Sequence, residues 1–199
     1  MNKHVLFPKQ RVPTQAAEGL PRWRWTTAEL EAIDKLGLFG EYEHFELIGG
    51  EIVPMSPTGR RHEIVCVELA DFFRKLLGET ARVAEQHQFN LAPDTYTEPD
   101  ILVHPRSIKL PDVDGAAALL LIEIADSSRN RYLTQKAALY ALHGVRDYWV
   151  IDAWSLETTI HRDPEAGGYR SIAQLAGSEP VTSLLVPQLS VRLAALDLD

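Results

Sequence analysis

Cysteine is almost missing from this chain: Cys66 is the single one in 199 residues. That excludes an internal disulfide and suits a reducing compartment. No apolar run approaches the roughly 20 residues that a membrane-spanning helix needs. The start, Met-Asn-Lys-His-Val-Leu-Phe-Pro, lacks the apolar centre of a secretion signal, so a cytoplasmic protein is expected. Surplus positive charge is lacking too. With 20 Lys and Arg against 28 Asp and Glu, the net charge is −8. Proteins that bind nucleic acid broadly neutralise phosphates with excess cations, so any such contact here has to be local or bridged by a metal. There is no repeat, no Walker loop, no G-x-S-x-G, no dinucleotide fingerprint and no histidine spacing suited to zinc.

What is present fits one domain with a full hydrophobic core. Residues 1–22 mix Pro, Gln, Gly and charges without periodicity and read as a tail, leaving 23–199 as the domain. Thr26-Thr-Ala-Glu29 is a capping box opening a short helix with Leu30, Ile33 and Leu36 at helical spacing, stopped at Gly37. Phe45 to Met55 reads as a hairpin turning at Gly49-Gly50, with Glu46 on the face opposite Phe45 and Leu47. A helix to about Leu77 carries the stripe His62, Cys66, Leu69, Phe73 and Leu76. Strands are expected over Ala81–Leu91, Tyr96–His104, Ala116–Ala125 and Asp147–Asp152, with a helix containing Leu133, Ala137, Tyr140 and Ala141 before the last. A polar hairpin around Gly167-Gly168 and a Leu-rich segment from Leu184 to Leu198 follow. The fold class is α/β in the wider sense, an α+β arrangement with a central mixed sheet flanked by helices.

One carboxylate is out of place in this pattern. Ala116–Ala125 is an apolar run of the kind expected for a strand covered on both faces, and Glu123 interrupts it. Desolvating it costs several kcal/mol by rough estimate unless a cation, a metal or strong donors compensate. Asp100, after Pro99 in the preceding strand, is a natural companion if the two strands are neighbours. Lys136 falls on the border of its helix's apolar face, so its amine reaches back over the sheet. Each has a bland reading: a strand-end acid, a Pro-Asp turn, a snorkelling lysine. Together, Asp100, Glu123 and Lys136 form a site for a divalent cation with a cationic side chain beside it.

Arg60-Arg61 and Arg129-Asn-Arg131 both stand at the starts of predicted helices, where the helix dipole disfavours positive charge. Helix N-termini and arginines bind phosphate, so these clusters suit a nucleic-acid backbone as well as they suit solvated loops. His62 is a candidate phosphate contact or base, Glu46 an additional oxygen ligand, and Gln86 an orienting amide, each with an equally ordinary structural account. Asp152 reads as a turn cap. Cys66, on a buried stripe without His or Asn context, reads as core rather than nucleophile.

The blocks Phe45-Glu-Leu-Ile-Gly-Gly-Glu51, Ser56-Pro with His62, Glu98-Pro-Asp100, Glu123-Ile-Ala-Asp-Ser-Ser128, Lys136-Ala-Ala-Leu-Tyr140 and Tyr148-Trp-Val-Ile-Asp152 closely resemble the Uma-two family. Its members are restriction-endonuclease-like proteins of the PD-(D/E)XK nuclease superfamily, and the match covers about residues 25 to 195. The resemblance implies a restriction-endonuclease-like core and a metal-dependent phosphodiester hydrolase. By position, Asp100 and Glu123 match the two acids; with the carbonyl of Ile124 they would hold Mg²⁺ or Mn²⁺. The lysine usual two residues beyond the second acid is absent, since position 125 is Ala, and Lys136 matches a lysine moved to the next helix. Glu46 and Gln86 match polar positions with supporting roles. The family commonly has Asp where this chain has Tyr132 and Asp-Gly where it has Gly49-Gly50. The expected partners are nucleic acid, with DNA the first expectation, and a second copy in a homodimer. The competing expectation is a catalytically degenerate nuclease fold used for dimerisation or partner binding.

Overall fold

A computed structural model describes residues 22–37, 44–55, 58–126 and 132–198. The tail expected over residues 1–22 lies, but for Arg22, outside the described residues, as do Arg129 and Arg131. The capping box forms as read: helix α1 (Thr27–Asp34) begins at Thr26, whose side chain accepts from the Glu29 N–H while Glu29 reaches back. Leu30 is buried under it, but Leu36 lies past the helix end and is 73% exposed. Strands β1 (Phe45–Ile48) and β2 (Glu51–Pro54) make the early hairpin, and Gly49 and Gly50 both have positive φ, at 57° and 80°. Two such residues form the tight turn whose twist matches the strands.

The segments read as single strands over Ala81–Leu91 and Tyr96–His104 are each two strands. β3 (Ala81–Glu85) pairs with β6 (Ile101–Pro105), and β4 (Phe89–Ala92) with β5 (Thr95–Thr97). The pairs Glu85↔Ile101 and Phe89↔Thr97 keep one continuous antiparallel register, so this is one long ribbon bent across a corner. The corner falls where Gln86, at φ 45°, lies opposite Asp100, with the Gln86 N–H donating to the Asp100 carbonyl at 3.2 Å. A left-handed residue on one strand and Pro99 on the other break the pleat and send the ribbon from one sheet into another. The sequence marks the corner only by polar runs, Glu85–Gln88 on one strand and Thr97–Asp100 on the other.

The two sheets have the orders β2-β1-β5-β4 and β10-β9-β8-β7-β6-β3. In the larger one, β7 (Leu120–Ala125) and β8 (Asp147–Asp152) run parallel, and β9 (Thr158–Glu165) and β10 (Gly168–Leu175) extend it antiparallel. Helix α2 (Arg60–Leu77) covers one face, where Val65, Cys66, Leu69 and Phe73 meet Ile122, Ile124 and Trp149. Its stripe ends on Leu77 rather than Leu76, which is 44% exposed. The other face is covered by a π-helical turn (Tyr132–Lys136) running into α3 (Ala137–Leu142), where Ala137, Tyr140 and Ala141 meet Leu121, Tyr148 and Val150. The mixed sheet between helices is the expected class. Short strands β11 (Val181–Thr182) and β12 (Ser190–Val191) complete the α2 layer. No helix among the described residues is long and apolar enough to cross a membrane.

Candidate active site

β6 and β7 pair Ile101↔Ile122, and the next step in register puts Asp100 opposite Glu123. Pro99 then stands opposite Ile124 and ends the ladder there. The N–H of Ile124 goes instead to Asp100 Oδ2, at 2.6 Å. The second oxygen of Asp100, Oδ1, lies 2.9 Å from Nε2 of His62 in the first turn of α2. Both oxygens of Asp100 are therefore oriented, one by the sheet and one by the helix beneath it. Burial lowers the His62 pKa, but the hydrogen bond and charge of Asp100 outweigh it and the net shift is upward.

Glu123 is served from the opposite layer. At 1% exposed it is buried among apolar neighbours. Its Oε1 accepts from Lys136 Nζ at 2.8 Å and from the Tyr140 hydroxyl at 2.7 Å. The π turn carries Lys136 at its end, and such turns re-aim side chains where an α-helix would carry them past. The same ammonium lies 2.7 Å from Glu46 Oε1. Glu46 reaches the site because β1 pairs with β5 through Leu47↔Tyr96, and it also accepts the Glu98 N–H at 3.2 Å. Burial pushes the Glu123 pKa up, to about 7; Lys136 opposes this, and the Asp100 and Glu46 carboxylates add to it.

The structure thus brings Asp100, Glu123, Lys136, Glu46 and His62 together and adds two residues to which sequence reasoning gave no role at the site, Tyr140 and Thr97. The Tyr140 hydroxyl lies 3.2 Å from Thr97 Oγ1 as well as on Glu123. The signal was there: a tyrosine four residues after Lys136 shares its helix face. Gln86 enters differently from its expected role, since its side chain is exposed and its backbone N–H marks the corner. Ile124 likewise touches Asp100 through its N–H. Arg60 is exposed. Arg61, by contrast, donates to the carbonyls of Ala153 at 3.0 Å and Leu198 at 2.7 Å, so its guanidinium holds the chain's end rather than facing a phosphate. Cys66 is buried core with its thiol pKa pushed up by burial. Asp152 caps its turn through the N–H groups of Trp154 and Ser155.

A central mixed sheet between helices is the restriction-endonuclease-like arrangement expected from the sequence. The model of the Uma2 family, described as "Putative restriction endonuclease", matches residues 28–197, and the chain belongs to that family. Among solved structures, one described as "a putative nuclease belonging to DUF820 from Anabaena variabilis ATCC 29413" aligns with a TM-score of 0.65 at 18% identity, covering 83% of this chain and 95% of that one. That likeness is one of fold. No curated protein matches the chain.

Proposed function

We propose that this protein is a metal-dependent endonuclease that hydrolyses phosphodiester bonds of nucleic acid, with DNA as the first substrate to test. The observation that carries the reading is that the β6–β7 register, continued one step past Ile101↔Ile122, brings Asp100 level with Glu123, with the Lys136 ammonium 2.8 Å from Glu123. The family assignment supports it.

The donor set suits a hard divalent cation. Among the described residues no three His, Cys, Asp or Glu side chains are grouped as a protein-only cage. Mg²⁺ does not require one: it is ordinarily held by one or two carboxylates together with water and substrate oxygens. Asp100 and Glu123, with the Ile124 carbonyl, would hold Mg²⁺ or Mn²⁺. When bound, such an ion supplies an activated water and offsets charge on the leaving oxygen. The chain's own residues do the positioning. The Ile124 N–H and His62 fix the plane of the Asp100 carboxylate. Tyr140 and Lys136 both hold Glu123 through Oε1. Lys136, between two acids, is placed to hold the charge that develops on a phosphate in the transition state. Gln86 has a supporting part, keeping the corner that presents Asp100.

The second reading is the degenerate fold acting as a binding module. It is favoured by how closely the charges satisfy one another: Lys136 is shared by Glu46 and Glu123, and Asp100 by His62 and Ile124. Calorimetric titration with Mn²⁺ at pH 8 decides between them. The nuclease reading expects saturable binding that Asp100→Asn or Glu123→Gln abolishes, together with loss of Mn²⁺-dependent cleavage of DNA in both. A folded wild type that binds no Mn²⁺ and cuts neither DNA nor RNA overturns it.

A further inference from the structure

Two residues beyond the end of β8, an exposed indole is hydrogen-bonded in place. Trp154 is 68% exposed. Its indole N–H donates to Asp126 Oδ1 at 3.1 Å, and its backbone N–H to Asp152 Oδ1 at 3.0 Å. An indole left in water is unfavourable by the area of its ring, and packing does not account for two hydrogen bonds that fix it there. Exposed single apolar residues are ordinary; one clamped by a carboxylate and a turn is pre-organised for a flat partner.

Its place in the fold points to what that partner is. The Ala153 N–H pairs with the Ala125 carbonyl at 2.9 Å, so Trp154 sits at the carboxyl end of the parallel strands β7 and β8. This is the end toward which Glu123 lies, three residues, or about 10 Å of extended chain, before Asp126. The start of α2 is packed against the same spot. A Cβ on Gly59 would come within 2.9 Å of Asp126 Oδ2, Arg61 is bonded to the Ala153 carbonyl, and the next residue after Gly59 is the exposed Arg60. A fixed aromatic face and an exposed guanidinium thus lie on the α2 side of the carboxyl end of β7, the side on which His62 of the same helix holds Asp100. Aromatic faces stack on bases irrespective of sequence, and arginine tracks the phosphate beside them.

We infer that Trp154 is a stacking platform for an unpaired nucleobase, so that the site takes a single-stranded or locally opened strand rather than an intact duplex. This rests on the nuclease reading above and adds to it the form of the substrate. Trp154 is a positioning residue: the ring holds the base, Arg60 the adjoining phosphate, and the strand is thereby set beside Asp100. A base inside a duplex has both faces covered by its neighbours and offers nothing to the indole.

The test compares decadeoxyadenylate, a decamer of abasic deoxyribose phosphates of equal charge, and a ten-base-pair duplex, each bound in Ca²⁺ and followed by anisotropy. Wild type is expected to bind decadeoxyadenylate about tenfold more tightly than the abasic decamer. Trp154→Ala should bind the two alike, and Trp154→Phe should recover most of the preference, a rescue that a purely structural role would not produce. Circular dichroism confirms that each variant is folded. Preference retained in Trp154→Ala, or tighter binding of the duplex, overturns the inference and leaves the nuclease reading intact. Absence of binding to any of the three by a wild type that also binds no Mn²⁺ overturns both.

Discussion

Strand β8 begins at one buried acid and runs alongside another, and the two are solved in different ways. At its start, Asp147 is fully buried, yet its Oδ1 accepts from Trp149 Nε1 at 3.0 Å and Arg162 Nε at 2.8 Å, and its Oδ2 accepts the Leu184 N–H at 2.7 Å. One charge meets one cation and two neutral donors, and the result locks the C-terminal segment to the sheet. Toward the far end of the neighbouring β7, Glu123 and Glu46 both meet the Lys136 ammonium. There, burial drives the Glu123 pKa upward, Lys136 opposes it, and the Asp100 and Glu46 charges add to it. Burial of a carboxylate is therefore no mark of function. The mark is like charge gathered by burial, because neighbouring carboxylates disfavour one another's ionised state and are relieved by a cation from outside.

That contrast can be broken from either side. Removing Asp147 leaves a guanidinium and two N–H groups without their acceptor, so Asp147→Ala is expected to destabilise by about 3–5 kcal/mol, read by urea unfolding at pH 8. Lys136→Met should cost about 3 kcal/mol at pH 8, because two buried acids lose their cation. It should cost clearly less at pH 5, where Glu123 takes up a proton; an equal loss at both pH values would remove the distinction between the two acids. Tyr140→Phe deletes one hydrogen bond to a charged oxygen while keeping the ring, for about 1.5–3 kcal/mol. It should weaken Mn²⁺ binding, whereas a core-only Tyr140 would leave Mn²⁺ binding unchanged.

The smallest effect is on the pH profile. The folded chain holds the Glu123 proton from the ordinary carboxylate value of 4.5 up to about 7, so between those values the folded state binds more protons than the unfolded one. Its contribution is full below 4.5 and is lost as the pH rises to about 7. His62, also raised, acts with the same sign. Unfolding free energies at pH 5 and pH 8 should therefore differ less in Glu123→Gln than in wild type, while Asp147→Asn should leave that difference unchanged.

Much of this was legible along the chain. The capping box at Thr26, the Gly49-Gly50 turn and the buried strand containing Glu123 were readable because each rests on neighbours in sequence. Asp100, Glu123 and Lys136 stood out as charges against apolar periodicity. The bend at Gln86 was not legible, since the polar run Glu85–Gln88 reads equally well as a strand facing a cleft, and Arg61 read as a phosphate contact because its carbonyl partners, Ala153 and Leu198, lie 92 and 137 residues away. Tyr140 was taken as packing because a buried phenol looks the same from sequence whether or not its hydroxyl finds a carboxylate.

The sequence by itself determined which residues are misplaced by the rules of their elements: an acid in an apolar strand, an acid after a proline, a lysine at the edge of an apolar helix face. Local propensity and periodicity act over a few residues, and these anomalies lie within that range. Only the tertiary structure decided what the anomalies meet. Register set Asp100 opposite Glu123, the bent ribbon carried Glu46 over from the smaller sheet, and the π turn aimed Lys136 between the two glutamates. Those contacts depend on where backbones pack after collapse, and a pairwise charge interaction that falls with distance and strengthens with burial exists only once that packing has fixed both.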